Sequence, residues 1–181
     1  MIEKVREIVK SEAQPGDWQY HQLIVVKYAK LLAKKLDADM ELAELGALLH
    51  DIGRIRHGSK DHDITGIPEA EKILEKVGYS QEVIDEIKHC VEFHRGNKNI
   101  PKKALVAEIV ANADAMAHFD VMPRIFHKSV FNLEFPETVR WFKEKVKRNW
   151  EKKLTLPEAR KMVKEKYKAI VLLLETVEEY I

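Results

Sequence analysis

Apolar residues recur along this chain at intervals of three and four, and almost nowhere at the interval of two that a half-buried strand requires. For 181 residues, that periodicity leaves helices packed on helices as the fold class. Ile2, Val5, Ile8 and Val9 mark a first amphipathic helix, broken by Gln14-Pro15-Gly16. Asp17 is placed to cap a second helix over 17–36, and Asp39 a third that ends at His50. Residues 53–59 read as a loop, and 67–77 as a fourth helix stopped by Gly78. Ser80 caps a fifth. A polar loop over 96–100 leads to Pro101, which suits the first turn of a sixth helix carrying Leu105, Ile109 and Val110. Pro123 marks a break, and Pro136 and Pro157 open two late helices, the last running almost to Ile181. No repeat, low-complexity segment or Gly/Ser linker divides the chain. The expectation is a single all-α domain over 1–181, a helical bundle around one core.

Composition narrows the function classes. An apolar fraction of 45% supports a packed core. With 31 basic and 30 acidic residues the formal net charge is +1, which argues against a dedicated nucleic-acid binder. One cysteine excludes a disulfide framework and makes a reduced, cytoplasmic setting the default. No apolar run approaches the ~18 residues of a membrane span, and MIEKVREIVK is too charged for a signal peptide. The charge is mostly Lys and Glu, a bias shared by hyperthermophile proteins and by any solvated helical surface. Association into a homo-oligomer is left open.

The chemistry lies with the histidines. All eight fall between positions 21 and 127. His50-Asp51 closes the apolar run Leu42-Ala43-Glu44-Leu45-Gly46-Ala47-Leu48-Leu49, so the pair leaves the core end of a helix. A buried carboxylate needs a partner, and a metal ion is one that also keeps imidazole neutral. Gly53 gives the backbone room for a turn and for close approach of a ligand. Asp114 sits among small residues in Ala111-Asn112-Ala113-Asp114-Ala115-Met116-Ala117, a charge that also calls for something opposite it. With His21 on the second helix, His50, Asp51 and Asp114 compose a mixed imidazole and carboxylate set. Such a set suits Mn, Fe, Co, Ni or Mg better than structural zinc.

His21, then His50-Asp51, then Asp114 resembles the H…HD…D signature of the HD superfamily of metal-dependent phosphohydrolases. The resemblance covers residues 17–120: Asp17-Trp18-Gln19-Tyr20-His21, Ala47-Leu48-Leu49-His50-Asp51-Ile52-Gly53-Arg54, and Ala107-Glu108-Ile109-Val110-Ala111-Asn112-Ala113-Asp114. The last third is matched only in being helical. The resemblance implies an all-α fold and one or two divalent ions. It also implies that His62 and His94 hold a second ion or contact substrate phosphate. Asp51 would then bridge the two ions. His89 competes with His94, but residues five apart on a helix point about 140° from each other, so His89 is placed off the ion or at the surface.

Arg54 stands where some members carry Lys after the Gly, and its planar fork suits phosphate oxygens. Arg56 and Lys60 read as solvated charge, with Arg95 a reserve phosphate contact. Asp51, Arg54, His62 and His94 are therefore the candidate catalytic residues. Nucleotidases of the 5′-nucleotidase type in this superfamily place a catalytic Glu shortly after His-Asp; here no acid occurs before Asp61. The implied activity is hydrolysis of a phosphate or pyrophosphate ester, with a nucleotide first in line. The alternative is a metal-containing nucleotide sensor without turnover. Cys90 reads as a core residue. The late aromatics Phe126, Phe131, Phe135, Trp141, Phe142 and Trp150 read as core rather than a base-stacking platform.

Overall fold

A computed structural model describes residues 1–95, 105–130 and 134–181. Among them there is no strand, in agreement with the helical periodicity. In chain order the helices are α1 (Ile2–Glu12), the short α2 (Pro15–Asp17), α3 (Leu23–Lys35), α4 (Met40–Leu49), α5 (Ile52–His57), α6 (His62–Val77), α7 (Gln81–Phe93), α8 (Leu105–Asp120), α9 (Met122–Val130), α10 (Phe135–Arg148) and α11 (Pro157–Glu178). Two π-helical turns join them, Trp18–Gln22 before α3 and Asn149–Lys153 after α10.

The bundle is built round α8, which packs on α3, α4 and α7. Its residues are buried on nearly every side, from Val106 to Phe119, as expected of a helix whose apolar surface is not confined to one stripe. Leu32, Leu45, Leu48, Leu49, Ile87, Ile109 and Met116 fill the centre. Cys90 lies among them, its thiol pushed up by burial, so it is core and not a nucleophile. Asp39 caps α4 as the sequence suggests, accepting from the Glu41 and Leu42 amides at 2.8 and 3.0 Å. Gly78 ends α6 in the left-handed region at φ 93. Among the described residues no helix is long and apolar enough to cross a membrane.

Several local expectations are corrected. Residues 53–59 are not a loop throughout: α5 occupies Ile52–His57, because Ile52 is buried and Ile55 packs on the core. Helix α6 begins at His62, five residues early, and continues through Pro68 because Asp63 and Gly66 are already buried on that face. Asp17 caps nothing; the helix starts at Pro15, and Asp17 pairs with Arg124 and Arg54 instead. Ser80 holds the N-cap position of α7 without a side-chain capping bond. Phe142 is core, with Phe126 edge-on at 5.3 Å, and Trp150 stacks on Tyr167 at 4.2 Å, but Trp141 and Phe135 are exposed. The polar loop over 96–100, the helix start at Pro101, and Phe131 lie outside the described residues.

Candidate metal centre

Five helical elements deliver side chains to the centre: the π turn before α3, the end of α4, α6, the end of α7, and α8. The π turn before α3 supplies His21, and Gln22 beside it donates to the Ala47 and Leu48 carbonyls at 2.8 and 2.6 Å. That tie docks the turn on the end of α4, where His50 and Asp51 emerge. Single π turns of this kind are frequent at functional sites. Helix α8 supplies Asp114 from the opposite side. His21 Nε2 lies 3.3 Å from His50 Nε2, 3.5 Å from Asp51 Oδ2 and 3.4 Å from Asp114 Oδ1. His50 Nε2 lies 3.8 Å from Asp51 Oδ2 and 4.0 Å from Asp114 Oδ1.

The second oxygen of Asp51 faces a second group. Asp51 Oδ1 is 3.3 Å from His62 Nε2 and 3.7 Å from His94 Nε2, and those two nitrogens are 3.1 Å apart. One carboxylate thus lies between two sets of donors. The sequence-derived residues His21, His50, Asp51, Asp114, His62 and His94 all meet here. His89 does not; it packs against Phe93 with ring centroids 5.9 Å apart.

The donor chemistry fits cations. His50, His62 and His94 each place Nδ1 within 2.6–2.8 Å of a backbone carbonyl three residues earlier, of Ala47, Ser59 and Val91. A carbonyl only accepts, so each ring donates Nδ1–H, and the neutral ring turns an Nε2 lone pair inward. The His62 and His94 lone pairs, on nitrogens 3.1 Å apart, repel unless a cation lies between them. Ligand bonds of about 2.0–2.2 Å separate neighbouring donors on one ion by roughly 3–4 Å, which is the spacing seen. His21 with His50 and Asp51, and Asp51 with His62 and His94, each could hold a metal ion.

His118 is a member of the cluster that the sequence reading missed. It stands one turn beyond Asp114 on α8, with Nε2 3.8 Å from Asp114 Oδ1 and its ring stacked on His21 at 5.5 Å. The i,i+4 spacing from Asp114 was the available signal. Lys153, in the π turn after α10, was missed too; its Nζ is 3.1 Å from Asp114 Oδ2. Burial opposes ionisation of Asp51 and Asp114, but the surrounding histidines, and Lys153 for Asp114, hold both carboxyls well below the usual range.

Arg54 borders the centre, 3.2 Å from Asp51 Oδ2 and 3.6 Å from Asp17 Oδ2. A cavity of about 90 Å³ lined by Asp17, His21, Asp51 and Arg54 opens there. Arg56 is structural: it pairs with Glu12 on α1 and with Glu69 on α6. Arg95 pairs with Asp63 at 3.1 Å.

The buried rings give the metal-free protein a defined pH response. Burial first, then the neighbouring His50, pushes His94 down to about 4, and burial also lowers His50 and His118. Between pH about 6.5 and 4 the unfolded chain therefore takes up protons that the folded chain refuses, so stability falls as pH falls. His94 alone contributes on the order of 3 kcal/mol across that window. His62, raised by Asp51 against its own burial, acts in the opposite sense but is outnumbered. The Tm of chelator-treated protein is expected to hold steady above pH 7 and to drop from pH 6.5 towards 4. A flat Tm between pH 7 and 5 would contradict the neutral buried rings.

The comparisons with known proteins follow the same residues. The HD domain family matches residues 18–118. A tRNA (cytidine(56)-2′-O)-methyltransferase of Picrophilus torridus is 34% identical over 127 residues, covering 62% of this chain and 35% of that protein. A ribonuclease Y of Finegoldia magna is 32% identical over 97 residues, covering 54% of this chain and 17% of that protein. The chain thus spans a minor part of these relatives. The crystal structure of a predicted HD superfamily hydrolase from an uncultured Thermotogales bacterium superposes with a TM-score of 0.67 at 22% identity, covering 98% of this chain and 91% of that one. The match over residues 18–118 carries both His50-Asp51 and the flanking His21 and Asp114, and the chain belongs to the HD domain family.

Proposed function

We propose that this protein is a metal-dependent phosphohydrolase that cleaves a phosphate or pyrophosphate ester, a nucleotide being the substrate class to test first. The observation that carries the reading is Asp51, whose two oxygens face two histidine groups beside a cavity bordered by Arg54. His21, His50, Asp51 and Asp114 would hold one divalent ion, and Asp51, His62 and His94 a second; Mn, Fe, Co, Ni and Mg suit the donors. Bound ions would polarise a phosphoryl oxygen and supply hydroxide near neutral pH. The chain's own part is to fix the donors and neutralise developing charge. The Nδ1–H bonds to Ala47, Ser59 and Val91 hold the rings in the required tautomer. Arg54 is kept at the cavity by Asp51 and Asp17, and Asp17 is itself held by Arg124 at 2.6 Å. The single thiol and the Lys/Glu-rich surface suit a reducing, cytoplasmic setting and justify assays at elevated temperature.

The test is a turnover screen with Mn, Co, Ni and Mg against nucleoside mono-, di- and triphosphates, p-nitrophenyl phosphate esters and a short oligoribonucleotide. The last is included because the relatives named above act on RNA by name. Hydrolysis of none of these, read as phosphate, p-nitrophenol or shortened oligonucleotide, would favour the sensor reading, which the missing acid between Asp51 and Asp61 supports. On a working substrate, Arg54→Ala is expected to lower kcat/KM by about ten- to a hundred-fold, the worth of a charged hydrogen bond. Metal content should be unchanged, and Arg54→Lys should recover part of the loss. Full activity in Arg54→Ala would move phosphate binding to other cations.

A further inference from the structure

Two lysines from the C-terminal third act on the centre, Lys153 by contact with Asp114 and Lys145 within electrostatic reach of it, and neither belongs to the HD signature. Asn112, buried on α8 two residues before Asp114, accepts from the Thr155 and Leu156 amides at 3.0 and 3.1 Å and donates to Thr155 Oγ1 and the Glu108 carbonyl. That clamp holds the end of the second π turn against α8 and so fixes Lys153 at Asp114. Lys145, one helical stretch earlier on α10, is half-buried and lies within electrostatic reach of Lys153, Asp114, Arg148 and Arg54. Among the described residues no carboxylate forms an ion pair with it. Burial and then Lys153 push its ammonium down to about 8, with Asp114 only partly offsetting them.

Charge shows what is wanted there. Asp51 and Asp114 are the carboxylates between the histidines; two divalent ions would already exceed them. Lys145, Lys153 and Arg54 add three more cations, of which Arg54 alone has a further acid, Asp17. A single phosphoryl group on the ions leaves Lys145 without a counter-charge and Lys153 sharing Asp114 with an ion. A groove of about 350 Å³ opens beyond Lys145, lined by Trp141, Lys147, Arg148 and Lys152 but also by Glu144 and Glu151. Those two carboxylates are ill placed for the evenly charged backbone of a nucleic-acid strand and tolerable for a compact polyphosphate whose charge ends at Lys145.

We propose that Lys145 and Lys153 form an anion subsite beside the metal centre that takes a second phosphate of the substrate, making a phosphoanhydride such as a nucleoside di- or triphosphate the preferred class over a monoester. This rests on the phosphohydrolase reading for the site it serves, but its test does not. Calorimetric titration of the Mn-loaded protein with pyrophosphate and with orthophosphate, after metal content is measured, reads the subsite directly. Pyrophosphate is expected to bind at least about thirty-fold more tightly than orthophosphate. In Lys145→Gln that preference should fall about ten-fold with orthophosphate affinity and ion count unchanged, and Lys145→Arg should restore it. Circular dichroism confirms the fold of each variant. An equal preference in wild type and Lys145→Gln would overturn the subsite. So would an oligoribonucleotide that outbinds pyrophosphate and loses that advantage in Lys145→Gln, which would assign the lysines to a strand. If no ion binds, the phosphohydrolase reading fails by itself, while a Lys145-dependent pyrophosphate preference in the metal-free protein would still uphold the subsite.

Discussion

Asp51→Asn is expected to strip the protein of both ions and to lower any phosphohydrolase activity by roughly three powers of ten or more. The substitution keeps the shape and removes the charge. Among the described residues Asp51 is the one side chain whose two oxygens face both donor groups, at 3.5 Å from His21 Nε2 and 3.3 Å from His62 Nε2. An amide in its place puts an NH₂ group against one set of lone pairs and leaves only Asp114 as an anion. Ions contribute several kcal/mol to charge stabilisation in phosphoryl transfer, and about 1.4 kcal/mol is a factor of ten in rate. His50→Ala should behave similarly for the first ion. His62→Ala should lose one ion and keep the other, and His89→Ala should lose none. Elemental analysis with circular dichroism on each variant checks the series. Two ions per chain in Asp51→Asn would reject the bridging arrangement, and one ion in the wild type at saturating Mn would reduce His62 and His94 to phosphate contacts.

The residues of the candidate site were legible because they break local rules that the rest of the chain obeys. His50-Asp51 ends an apolar helix, and Asp114 interrupts a row of alanines; each is a polar group that burial would penalise without a partner. Periodicity gave the helices for the same reason, since most of them bury one face. What could not be read depends on contacts distant in sequence. The π turn at His21 is set by Gln22 reaching the Ala47 and Leu48 carbonyls, and no local pattern encodes it. Lys153 reaches Asp114 only because Asn112 holds residues 155 and 156 on α8. A lysine in a run of lysines carries no mark of such a role. His118 differs: once Asp114 is a candidate, a histidine four residues on shares its face, and the spacing alone would have found it.

Gly53 serves helix packing rather than a turn or ligand approach, with a large consequence. A Cβ at Gly53 would lie 2.2 Å from the His62 carbonyl oxygen, 2.5 Å from the Gly66 nitrogen and 2.8 Å from the Gly66 Cα. All three are backbone atoms of α6, so no side chain can swing aside to relieve the contact. Helices α5 and α6 must separate, and the carbonyl that is struck belongs to His62 itself. Overpacking usually costs about 1–3 kcal/mol, and contacts confined to backbone place Gly53→Ala at or above the upper end. For a chain of this length that is a Tm lower by about 6–12 °C. The same displacement carries His62 away from Asp51 Oδ1, so on the proposed two-ion arrangement the variant should lose the ion assigned to Asp51, His62 and His94. Gly58→Ala is the control. That residue has φ 87, ψ −175 and nothing within 4 Å of the added carbon; this extended backbone region is essentially reserved for glycine, so the variant loses about 1–3 kcal/mol but, with no helix displaced, should leave the ion count intact. Thermal denaturation and metal analysis of the two variants decide the matter. A Gly53→Ala protein within 2 °C of wild type, in line with about half a kcal/mol or less, and still loaded with two ions would mean that α5 and α6 do not meet where His62 is held.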